Sequence, residues 1–207
     1  MGGRGALSRA SGEKRGLNFG KGKGKPSLEL YPARMNRNVN TGSLDRMALG
    51  FDTAHGGAPK EFAVTVDTYG YATSYFEGSS GSVNVPDKHL NGTHLVHNHP
   101  RGGWGNFSGQ DLDSFANSGV RGMSAISRNL SIPKNASLNT KKAYSNRRSG
   151  EYRISKTNHF DRNGFTEAIR QIKVRDDNYD KDLHRWLSRN QQKYGYKYSY
   201  TKATNKV

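Results

Sequence analysis

Apolar and polar positions change rhythm several times along this chain. In "KEFAVTVDTYGYATSYFEG", residues 60–78, Phe62, Val64 and Val66 recur two apart, the pattern breaks at Thr68–Gly70, and Tyr71, Thr73 and Tyr75 resume it. Side chains two apart share one face of a strand, so this period predicts a β-hairpin. "THLVHNH" (93–99), "RGMSAISR" (121–128) and "GEYRIS" (150–155) predict three further strands, and "SVNVP" (82–86) a short extended piece.

Elsewhere the period lengthens to that of a helix. "GQDLDSFANSG" (109–119) puts Leu112 and Phe115 on one face and offers Gly119 as C-cap. A short helix is expected around Ser43 to Leu49, with Ser43 as N-cap. Phe165, Ile169, Ile172, Leu183, Trp186 and Leu187 follow helical spacing with an interruption near Asp176 to Tyr179, which predicts one or two amphipathic helices. The polar, basic stretch 129–150 reads as a long loop. Strands and helices in this alternation predict an α/β (α+β) domain: a mixed central sheet with flanking helices.

Composition narrows where that domain lies. Of 207 residues only 32% are hydrophobic and 25 are Gly, too few apolar groups for a core along the whole chain. Residues 1–28, rich in Gly, Lys, Arg and Ser, are expected to be a flexible basic arm, residues 29–190 the folded domain, and residues 191–207 a basic, Tyr-rich tail suited to stacking on a partner or simply solvated.

Charge follows the same division. Residues 1–60 carry a net charge of +7, residues 61–140 of −1 and residues 141–207 of +10. A neutral centre between basic flanks suits contact with nucleic acid or another polyanion through the flanks. The absence of Cys excludes disulfides and thiolate ligands, so a metal must be held by His, Asp or Glu. No apolar run is long enough for a membrane span, no secretory h-region opens the chain, and Ala6 stands where a myristoylation signal needs Ser or Thr. A soluble, cytoplasmic protein is expected.

The neutral centre holds the candidate chemistry. His97 and His99, two apart in a strand, can reach one ion, whereas His94 has the opposite parity and faces elsewhere. Catalytic zinc takes three N or O ligands and leaves a position for water, and Asp111, entering a helix just past a Gly-rich loop, is the nearest third ligand. The water must lose a proton to a carboxylate, and Glu61 and Glu77 are the two glutamates of this segment. Ser108, three residues before Asp111, doubles as a helix N-cap. Trp104 in the loop is either a stacking group or a packing plug.

Glu61 in "KEFAV", "HNHP" at 97–100 and "SGQD" at 108–111 resemble the motif of the JAB/MPN (JAMM) metalloproteases, with "HNHP" similar to RadC-like and phage- or toxin-associated members. The resemblance covers roughly residues 61–128. It implies a JAB/MPN-like fold, Zn2+ held by His97, His99 and Asp111, Glu61 as general base, Ser108 as a stabiliser of the oxyanion, and a protein or peptide substrate. Eight residues separate His99 from Ser108, one more than the family's usual spacing, an insertion that the Gly-rich loop can absorb. Three functions stand beside one another: a zinc hydrolase of peptide or isopeptide bonds, a RadC-like nucleic-acid-acting protein that grips phosphates with its flanks, and a non-catalytic interaction module. The contiguous letters "HNH" are not the dispersed signature of the HNH nucleases.

Overall fold

The computed structural model describes residues 14–19, 25–30, 43–100, 105–128 and 150–202. Nine strands are present among them: β1 Lys14–Gly16, β2 Leu28–Leu30, β3 Phe62–Val66, β4 Ala72–Glu77, β5 His94–His99, β6 Gly122–Ser127, β7 Gly150–Lys156, β8 Lys173–Arg175 and β9 Tyr196–Thr201. The helices are α1 Leu44–His55, α2 Asp87–Leu90, α3 Gly109–Asn117, α4 Arg162–Gln171, α5 Tyr179–Arg189 and α6 Gln191–Tyr194. Seven strands form one sheet in the order β2-β4-β3-β5-β6-β7-β9, and β1 pairs with β8 in a separate ribbon. The fold is the mixed α/β arrangement expected, a central sheet flanked by helices.

One pair in the large sheet, β5 with β6, is parallel, and α3 provides the crossover between them. The other neighbours are antiparallel. β5 lies in the middle and all six of its residues are buried, as befits a strand covered on both faces. On one side, Met47, Ala48 and Phe51 of α1 pack on Val64, Val66, Tyr75, Val96 and Ile126. On the other, Leu112 and Phe115 of α3, Phe165 and Ile169 of α4, and Leu183 and Leu187 of α5 join Ala63, Leu95, Met123 and Ile154. The expected hairpin is β3–β4, and Gly70 supplies the positive φ of 86° in its turn.

Several expectations need correction. The helix begun at Ser43 runs to His55, because Phe51 and its neighbours bury against the sheet, and Ser43 makes no side-chain cap bond. The C-cap of α3 is Ser118, not Gly119. Gly119 is instead required by close approach, since a Cβ there would stand 2.7 Å from Asn91 Oδ1. The apolar periodicity of 165–187 is split into two helices by β8 and a 3-10 turn at Asp176–Asn178.

Strands lie on both sides of residues 28 and 190. Part of the basic N-terminal segment pairs with the domain as β1 and β2, and Leu17 is buried in the main core. At the other end, the Tyr-rich segment extends the sheet as β9, because Tyr196 and Tyr198 alternate inward and bury, leaving Lys197 and Ser199 exposed. The long loop at 129–149 and Trp104 lie outside the described residues. No helix among the described residues is long and apolar enough to cross a membrane.

Candidate metal centre

β5 carries His97 and His99 on the face that looks toward α3, and both are almost wholly buried. Their Nε2 atoms are 3.0 Å apart. Asp111, on the first turn of α3, brings Oδ1 to 3.5 Å from His97 Nε2 and Oδ2 to 3.4 Å from His99 Nε2. The three side chains form a cluster able to hold a metal ion.

The spacing is a test of fit. Donors about 2.0–2.1 Å from a tetrahedral ion stand roughly 3.3–3.4 Å from one another. The two Nε2 atoms at 3.0 Å, and the carboxylate oxygens at 3.5 Å from His97 (Oδ1) and 3.4 Å from His99 (Oδ2), lie near that value, with each histidine meeting a different oxygen of Asp111. Two imidazole nitrogens and a carboxylate aimed at one buried point need either shared protons or a cation between them, and nitrogen and oxygen donors without thiolate suit zinc and other divalent first-row ions.

The orientation of Asp111 follows from the start of α3. Ser108 is its N-cap: Asp111 N donates to Ser108 Oγ at 3.1 Å, and Ser108 N donates to Asp111 Oδ2 at 2.7 Å, a reciprocal capping box. Ser108 Oγ also donates to Oδ2 at 2.8 Å, so Oδ1 is the less engaged oxygen. Burial alone would push the Asp111 carboxyl up, but the two histidines beside it hold it well below the usual carboxylate range. It is therefore an anion, the form that a metal ligand requires.

Glu61 is 5% exposed and lines the same cavity, of about 480 Å3, as His97, His99, Ser108 and Asp111. Antiparallel pairing sets Ala63 opposite His97, and continuing that register sets Glu61 opposite His99 on the same face. Glu77 pairs with Phe62, of opposite parity, and its carboxylate meets Lys60 Nζ. The sheet thus separates the two glutamates that the sequence left as alternatives. His94 too lies away from the cluster, as its parity predicts: its Nε2 hydrogen-bonds Ser124 Oγ at 2.9 Å.

Two participants escape a reading by pattern. Asn98, between the two clustered histidines, accepts from Phe62 N at 2.7 Å through Oδ1 and donates to Lys60 O at 2.9 Å through Nδ2. Asp180, at the start of α5, accepts from Gly105 N and Asn106 N, each at 2.9 Å, while Tyr179 Oη donates to Phe107 O at 2.8 Å. These bonds fix the chain just before the cap of α3. In the sequence, Tyr179 showed only as the end of a break between helices, and nothing singled out Asp180. Gly105 accommodates the clamp, since a Cβ there would stand 3.3 Å from both Asp180 Oδ2 and the Tyr152 ring.

No family model, curated protein or solved structure matches the chain.

Proposed function

We propose that the chain is a zinc-dependent metallohydrolase of the JAB/MPN (JAMM) type that hydrolyses a peptide or isopeptide bond. The observation that carries this reading is the convergence of His97, His99 and Asp111 within ligand spacing of one another, in a cavity that Glu61 also lines. Zinc bound there would polarise the scissile carbonyl and lower the pKa of its water to about 7.

The protein's own residues take the other roles. His97 and His99 present Nε2, and Asp111 presents Oδ1, with Oδ2 held by the capping box. Glu61 accepts the proton of the attacking water and returns it to the leaving nitrogen. Its burial at the end of β3 keeps the carboxylate out of bulk solvent. Ser108 first orients Asp111. Its hydroxyl, turned from Oδ2 toward the cavity, would donate to the oxyanion of the tetrahedral intermediate.

Charge separates this reading from the RadC-like, nucleic-acid-acting one. The basic flanks favour the latter, and binding through them should weaken steeply with salt. The described lining of the cavity, however, includes Glu61, Asp87, Asp111 and Asp113 and neither Lys nor Arg. Four carboxylates suit a peptide better than a polyphosphate backbone, so the flanks are read as accessory contacts and the cavity as the reaction site.

Incubating the zinc-loaded protein with ubiquitin-like conjugates, unstructured peptides and single-stranded DNA tests the proposal. Cleavage of a peptide or isopeptide bond is expected, and its loss in Glu61→Gln. Cleavage confined to DNA would replace this reading with the nuclease one.

A further inference from the structure

The geometry points to Asn98 as a positioning residue that holds Glu61 toward the metal cluster, an inference that rests on the proposed hydrolase reading. Asn98 is fully buried, a costly place for a primary amide unless its polar atoms are bonded. Both ends of that amide go to one short piece of backbone. Oδ1 accepts from Phe62 N and Nδ2 donates to Lys60 O, so the side chain spans the residue between them, Glu61.

The location explains why a side chain is needed there. Backbone pairing of β3 with β5 begins at Ala63↔His97, and residues 60–62 lie beyond its end. On the far side, Glu61 N donates to Ser79 O and Gly78 N donates to Glu61 O. Glu61 is therefore tied through its own backbone to residues 78–79 and through both neighbours to Asn98. Because Asn98 alternates with His97 and His99, the strand that aims two imidazoles at the ion aims an amide from its other face at the backbone carrying the base. Both histidines and the base are thus referenced to three consecutive residues of one central strand.

A serine or aliphatic residue at 98 would fit the alternation of β5 equally well, but neither could bond an N–H and a C=O two residues apart. Asn98→Asp keeps the acceptor for Phe62 N but sets an acceptor against Lys60 O.

Two measurements test the inference. Amide exchange in the metal-free chain should be faster at Phe62 in Asn98→Ala than in wild type, by roughly 10-fold or more, with Val64 and Val66 unchanged; equal exchange at Phe62 would overturn the anchoring regardless of any activity. In the zinc-loaded protein, using the peptide or conjugate that wild type cleaves, Asn98→Ala should retain one zinc per chain and lose roughly 10- to 100-fold in kcat with little change in KM, the range for residues that orient a metal site. Asn98→Asp should fall between the two. In a Glu61→Gln background, Asn98→Ala should cost nothing further, because groups acting as a unit are non-additive. An additive loss would show that Asn98 acts otherwise than through Glu61. A wild-type protein that binds no zinc sinks the hydrolase reading separately, and Phe62 exchange then decides the anchoring alone.

Discussion

Asp180 reaches from the start of α5 to take both Gly105 N and Asn106 N on one carboxylate, at 2.9 Å each. A helix residue 74–75 positions downstream in sequence thereby fixes where the Gly-rich loop ends and where α3 begins, and so where Asp111 stands relative to His97 and His99. Asp180→Ala leaves two amides without their acceptor, each at a cost on the order of 1–3 kcal/mol. Urea denaturation should show a loss of about 2–4 kcal/mol, and zinc affinity should fall roughly 10-fold or more. Unchanged zinc affinity in a destabilised variant would confine Asp180 to a structural part.

Ser108 caps α3 and orients its first-turn partner, Asp111, at once. Ser108→Ala should lower stability by about 1 kcal/mol, the usual worth of an N-cap, measured by thermal unfolding of the metal-free chain. It should also weaken zinc binding, since Asp111 Oδ2 loses a donor. Ser108→Thr keeps the hydroxyl and should restore both.

The fold was legible wherever period and burial agree. The hairpin β3–β4, the strands β5, β6 and β7, and α3 each have at least one side-chain face that must bury, and their pattern shows it. Parity alone removed His94 from the site and left His97 and His99. Residues 82–86 alternate as a strand does, yet Asn84 pairs with Ser27 through Ser27 N and Ser27 Oγ rather than with a regular ladder, a long-range relation invisible to local pattern. The same holds for β9: its Tyr alternation could be read as a binding tail because nothing local says that β7 lies beside it. Asn98 and Asp180 act on backbone far away in sequence, so no spacing rule could have singled them out.

The protein should lose stability in acid through buried His94 and half-buried His55. Burial, with Arg153 and Arg121 nearby, pushes His94 down to about 3, and burial pushes His55 down to about 4. Both are neutral in the folded chain at neutral pH. A group whose pKa is depressed on folding contributes stability that is present above its unfolded value of about 6.5 and lost as pH falls through the window down to the folded value. Chemical denaturation at several pH values should therefore show stability declining from about pH 6.5 toward 4, by up to about 1.4 kcal/mol per pH unit for each group. His94→Gln should flatten that slope, and an equal slope in the variant would contradict the assignment.

Glu61 and Glu77 face opposite sides of the sheet, so their amide variants should part completely. Glu61→Gln should abolish hydrolysis by about 100-fold or more while zinc stays bound. Glu77→Gln removes the contact with Lys60 and should leave turnover near wild type. Equal activities in the two variants would remove Glu61 from the reaction.

His97, His99 and Asp111 should together hold one metal ion. Zinc content of the purified, zinc-equilibrated chain, set against His97→Ala and Asp111→Ala with retained folding checked by circular dichroism, tests it most directly. One zinc per chain is expected in wild type and loss of tight binding in each folded variant; a wild-type chain that retains no zinc, or variants that retain as much as wild type, would rule out this metal centre.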